Sequence, residues 1–280
     1  MSSTSADRAA TAAGRMGLVL LYLIAIASVV GFGVFRTWPQ LLATIPDAAA
    51  VYPRAFEVFP RAQIVLAFVV LAFYLTWRAG KSWIAAFVAV YAISLASELS
   101  GTTVGMPFGP YRYTDALGAK WFGHVPVLIP VSWFMMAVPS FALAGASSDG
   151  STPTRTRRIV VGSLILLAWD LSLDPAMSAA TAFWIWGEQG AYYGMPWLNL
   201  FGWFVTGVAL MMAMVALGAE RWTSRLSSRW LLAYYGANLA LPVGLAAVGR
   251  MWLALVVTTV ALAACWLIVR PRRAFERAIA

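Results

Sequence analysis

Glu98, Asp170 and Asp174 are the residues of this 280-residue chain whose type and setting best suit chemistry. Glu98 closes a long apolar run, just before the Gly/Pro-rich aromatic stretch SGTTVGMPFGPYRY. Asp170 and Asp174 come late in another run, in WDLSLDP. A carboxyl at membrane depth is costly, so it marks a functional site by default. The two aspartates are four positions apart, which on a helix sets them one above the other on a single face. Two carboxyls that close do not both ionise comfortably, and burial disfavours their charged forms further. At least one is then expected to be a neutral acid in an apolar pocket, able to protonate a poor base.

The elements that position these acids follow from composition. The chain is 61% hydrophobic and 11% charged, where a soluble domain carries about 25% charged residues. Several apolar runs reach the roughly 20 residues that cross a bilayer. They are continuous rather than alternating, so the fold class is all-α: a polytopic transmembrane bundle of about eight helices rather than a barrel. The spans read as 17–35, 62–77, 82–97, 126–146, 159–174, 196–219, 230–248 and 251–269, with Pro175 stopping the fifth. Residues 1–16 read as a disordered tail, 17–270 as one membrane domain and 271–280 as a basic cytoplasmic tail. A cleaved signal peptide is disfavoured, because the first run is long and no A-x-A site follows closely. Residues 36–61, with Trp38, Tyr52 and four prolines, read as a connection lying on the membrane interface.

Lys and Arg orient the bundle. With both termini cytoplasmic, 14 of the 20 basic residues fall on the inner side and every inner loop is basic. Glu98, Asp170, Asp174, Asn199, Ser132, Trp133 and Trp203 then gather in the outer half, beside the aromatic loops GMPFGPYRY and FWIWGEQGAYYG. The net charge of +9 therefore reports topology and not nucleic-acid binding. Each acid has a plainer reading: Asp174 as a helix end before proline, Asp170 as a polar tie between helices, Glu98 as a solvated interfacial group. His124 reads as a loop residue and the lone Cys265 as a small core residue, so neither a disulfide framework nor a thiolate metal centre is expected. No G-x-S-x-G elbow, P-loop or dinucleotide fingerprint is present, and DLSLD lacks the second acidic cluster of a magnesium-dependent prenyltransferase. No internal repeat argues for an inverted-repeat transporter.

The ordered set SELSGTTVGMPFGPYRYTDALG, HVPVLIPVSWFMM, WDLSLDPAM, FWIW and YYGMPWLNLFGWF resembles the integral-membrane carotenoid hydratases, of the γ-carotene 1′,2′-hydratase and bisanhydrobacterioruberin hydratase type. The likeness covers about residues 98–203. It implies a multi-pass protein of a bacterial or archaeal cytoplasmic membrane that adds water across the terminal C1=C2 bond of a ψ-end carotenoid. The implied partners are the carotenoid, the bilayer and other carotenoid-biosynthesis enzymes. Such hydration needs an acid to protonate C2, aromatic faces for the tertiary cation at C1 and a positioned water; no cofactor or metal is expected. On chemical grounds Asp170 is the expected donor, Asp174 or Glu98 accepts the proton of the attacking water, and Asn199 positions that water. Trp133, Trp203 and Tyr111 shield the cation, with Tyr113, Phe108 and Trp184 as further substrate-binding candidates. Residues 105–113 read as a lid over the polyene end. The rivals are a carotene cyclase sharing the protonation step, a proton-coupled transporter and a non-catalytic carotenoid-binding scaffold.

Overall fold

Long apolar runs fold as helices because, away from water, a helix satisfies its own backbone. The computed structural model describes residues 5–146 and 154–269. Seven of its helices are long and apolar enough to cross a membrane: α1 (Ser5–Thr37), α3 (Ala48–Ala79), α4 (Ile84–Val104), α6 (Arg155–Pro175), α7 (Trp197–Ala216), α9 (Ser228–Val248) and α10 (Trp252–Val269). An eighth apolar helix, α5 (Leu128–Ala144), has 17 residues. Two four-residue turns, α2 (Leu41–Thr44) and α8 (Glu220–Thr223), cap connections. The architecture is the expected all-α polytopic bundle.

Burial ranks the helices. In α1 and α10 only 17% of the most apolar window is covered by protein, against 67% in α6, so the first two present wide apolar faces outward. α5 is apolar all round and almost wholly buried, the mark of a central helix. It packs against α3, α4, α6 and α9; α6 packs against α5, α7 and α10, and α1 against α9.

The chain departs from the expected boundaries in three places. Helix α1 begins at Ser5, where a disordered tail was expected; the segment is rich in alanine, the strongest helix former. Residues 1–4, the loop residues 147–153 and the tail 271–280 lie outside the described residues. The connection 36–61 is largely helical, because α3 starts at Ala48 and carries Pro53 and Pro60 within it. Pro175 does not stop α6: one π-type turn, Ala176–Ala180, continues it. The lost backbone donor is replaced from elsewhere. Proline at 175 leaves the Leu171 carbonyl without its helical partner, and the Tyr192 hydroxyl donates to it at 2.7 Å. The same device recurs in α9, where Pro242 frees the Asn238 carbonyl and Trp169 Nε1 donates to it at 3.2 Å.

At one end of the bundle the two aromatic loops meet. β1 (Tyr111–Tyr113) pairs antiparallel with β4 (Trp184–Trp186), in the register Tyr111–Trp186 and Tyr113–Trp184. β2 (Lys120–Trp121) and β3 (Val125–Pro126) form a second ribbon, whose turn carries an exposed His124. At the opposite end, Arg157 Nη2 donates to the carbonyls of Ala146 (3.0 Å) and Val269 (3.2 Å), and Arg78 to that of Arg225. Basic side chains there satisfy carbonyls that helix ends leave open.

Candidate active site

The site begins with one face of α4. Val90, Ser94, Glu98 and Gly101 recur at helical spacing and are all buried, so the carboxyl of Glu98 points into the bundle. Three donors converge on it. Tyr111 and Tyr113 both donate their hydroxyls to Oε2, Tyr113 at 2.8 Å, and Trp133 Nε1 donates to Oε1 at 2.8 Å. The tyrosines reach it together because residues i and i+2 of a strand share a face; Arg112 between them is exposed. The same periodicity brings Trp184 and Trp186 of β4 against them, with ring centroids 6.0 and 5.4 Å away. The paired strands thus form an aromatic roof.

The aspartates sit across the cavity on α6. Both are buried, and Asn199, in the first turn of α7, bridges them through Nδ2. It bonds Asp174 Oδ2 directly and reaches Asp170 Oδ2 at 3.4 Å. Trp184 Nε1 comes near Asp174 without closing a hydrogen bond onto it. Trp133 and Trp203 stack with centroids 4.0 Å apart, and Trp169 meets Trp203 edge-on at 6.0 Å.

These groups enclose a cavity of about 100 Å³. Glu98, Asp174, Asn199, Trp133, Trp203, Tyr111, Tyr113, Phe108 and Trp184 all line it. Asp170 does not: it is fully buried, and its Oδ1 has no hydrogen-bond partner among the described residues. Of the two aspartates, Asp174 is therefore the one nearer the cavity.

Phe108, Tyr111 and Tyr113 of the stretch 105–113 line this cavity. Phe108 is buried between Gly101 of α4 and Gly202 of α7, and a Cβ at Gly101 would stand 2.8 Å from its ring. At Gly202 a Cβ would stand 2.8 Å from the Pro107 carbonyl oxygen. Glycine at both positions is what lets the loop sink in. Beyond this stretch, Arg61 of α3 pins the following turn by donating to the carbonyls of Ala116 (2.8 Å) and Asp115 (3.1 Å). Lys120 bonds the Asp115 carboxylate at 2.7 Å and holds it below the usual carboxylate range.

Gln63, Trp169, Trp186 and Asn238 also line the cavity and were not singled out from sequence. Gln63 carried a usable signal as an amide within an apolar span, as Asn199 and Asn238 are within theirs, and Trp186 follows from the period of two in FWIW. A second, more open cavity of about 430 Å³ abuts the first, sharing Pro60, Met177, Phe183 and Leu241 with it. It runs between α1, the start of α3 and α9, and its wall is almost wholly apolar, with Phe32, Phe35, Tyr52 and Phe56. Among the described residues, no three His, Cys, Asp or Glu side chains come together as a metal donor set. Buried polar side-chain atoms normally find partners. Of the eight that lack one among the described residues, five belong to Gln63, Asp170, Trp184 and Trp186, at or beside this cavity.

Comparison with known proteins adds a family. The model of the family described as carotenoid biosynthesis protein matches residues 59–265. The bisanhydrobacterioruberin hydratase of Haloarcula japonica is 33% identical over 122 residues. That alignment spans 44% of this chain and 41% of the relative. No solved structure matches.

Proposed function

This chain belongs to the carotenoid biosynthesis protein family, and on that premise we propose that it hydrates the terminal C1=C2 bond of a ψ-end carotenoid. The observation that carries this reading is a buried acid pair, backed by asparagine, facing stacked indoles across a small apolar cavity. Similarity to the Haloarcula japonica hydratase supports it.

Asp174, which lines the cavity, is the proton donor to C2. Asp170 is the positioning residue, tied to the same Asn199 amide. The tertiary cation that forms at C1 lies against Trp133 and Trp203, whose faces carry partial negative charge. Glu98 also lines the cavity, and its carboxylate, fixed by three donors, stabilises the developing cation by its negative charge. Water adds to C1 and its extra proton returns to the Asp174 carboxylate, so the acid is regenerated and one water is consumed per turnover. The reaction draws on no cofactor. The remaining polyene lies in the larger apolar cavity, which leads outward between α1 and α3. In this reading the acid end faces away from the cytoplasm, which the excess of Lys and Arg in the loops at the other end supports.

Asp174→Asn tests the assignment. A positioned general acid contributes about 10²–10⁴-fold. The variant, in membranes supplied with a ψ-end carotene, should lose hydrated product by that factor while remaining folded, and Asp170→Asn should lose less. Wild-type yield from folded Asp174→Asn protein contradicts the assignment. An isomeric product from the wild type, with no added water, would instead favour cyclisation, which begins with the same protonation.

A further inference from the structure

Gln63 is a polar group of this cavity that the proposed chemistry has not yet used, and unlike Ser132 and Asn238 its side chain makes no hydrogen bond among the described residues. It is 5% exposed, it lines the cavity, and neither its Nε2 nor its Oε1 has a hydrogen-bond partner among the described residues. A primary amide offers two donors and an acceptor. Burying all of them unpaired is unfavourable, and such groups in native proteins call for an explanation. The cavity it faces, about 100 Å³, exceeds what one water needs, roughly 10–15 Å³.

Its position matters as much as its valence. Gln63 comes from α3, which packs on α1 and α5, whereas Asp174 and Asn199 come from α6 and α7. Donor and amide thus come from different helices around a cavity that Trp133 and Trp203 also line. Asn199, expected from sequence to hold the water, has its Nδ2 engaged with both aspartates and with Met195 Sδ at 2.9 Å. We propose that Gln63 binds the nucleophilic water, through its otherwise unpartnered amide on the α3 wall, and so commits the carbocation to hydration rather than to proton loss. This rests on the hydratase reading above. In the step, a lone pair of the Gln63-bound water forms the C1–O bond, and the extra proton on that oxygen passes to the Asp174 carboxylate. Without a held water, the cation returns a proton from C2 or a C1 methyl to the same carboxylate, giving back an alkene.

The test is Gln63→Leu, close in size and free of polar atoms, in membranes given a ψ-end carotene in D₂O. The wild type should yield hydrated carotenoid carrying deuterium at C2. In the variant the hydrate should fall at least tenfold, while unhydrated carotenoid gains deuterium or a shifted terminal double bond. Thermal stability should not fall, since the substitution removes unpaired polar atoms; Gln63→Asn should recover part of the hydrate. Unchanged hydrate in Gln63→Leu overturns the proposal. So does loss of hydrate and of deuterium incorporation together, which would make Gln63 necessary for protonation or folding and not for capture. Absence of hydrate from the wild type would instead overturn the reading on which it rests.

Discussion

Replacing Glu98 separates its structural work from its chemistry. Three donors end on this carboxyl, and one of them, Trp133 Nε1, can only donate. In Glu98→Leu all three lose their acceptor. A buried donor left unpaired costs about 1–3 kcal/mol, so the loss is about 3–9 kcal/mol if none finds another partner. In Glu98→Gln the amide oxygen still accepts from Trp133, and the tyrosine hydroxyls turn to accept from the amide N–H groups. Its stability should lie within about 1 kcal/mol of wild type, since each bond is exchanged rather than lost. Thermal unfolding of the purified variants in lipid or detergent reads the first quantity, and hydrate formation reads the second. Glu98→Gln should melt near the wild type and make much less hydrate, while Glu98→Leu should melt far lower. A Glu98→Leu protein as stable as the wild type refutes the hydrogen-bond argument. A fully active Glu98→Gln refutes the need for a carboxylate at this position.

Other substitutions probe the remaining parts. Trp203→Leu removes a desolvated cation–π face worth about 2 kcal/mol, which is about thirty-fold in rate, without disturbing either aspartate directly; an unchanged initial rate contradicts this. Gly31 lines the larger cavity and a Cβ there meets nothing within 4 Å, so Gly31→Phe should fold normally. It should slow hydration of a full-length polyene but spare a short ψ-end analogue; equal slowing of both speaks against the groove. Gly202→Ala drives a Cβ against the Pro107 carbonyl and should raise hydrogen exchange across residues 105–113 as product falls. Tyr192→Phe strands the Leu171 carbonyl that Pro175 leaves free and should cost about 1–3 kcal/mol of stability.

Continuous apolar runs, basic loops and one pair of aspartates at helical spacing were enough to read the bundle and to gather the acids with their indoles. Those signals are local, and a helix or strand period turns them into faces. What stayed hidden depends on partners distant in the chain. Pro175 looked like a stop because the hydroxyl that compensates for it belongs to Tyr192, in another loop. Residues 48–61 looked like an interfacial connection because their prolines argue against a helix, which tertiary packing overrides. The order of the two aspartates about the cavity depends on where Asn199 and the β1–β4 roof lie, and neither is visible in the four-residue spacing of the pair. Gln63 escaped notice because a single amide in an apolar span is unremarkable until its partners are counted.

The central claim is that this chain adds water to a carotenoid end group. Membranes containing the chain, supplied with a ψ-end carotene in heavy-oxygen water, test it by product mass. The product should be a 1-hydroxy carotenoid heavier than its substrate by one water and carrying the heavy oxygen, absent when Asp174 is replaced by Asn. A product isomeric with the substrate, or a hydroxyl bearing unlabelled oxygen, would contradict it.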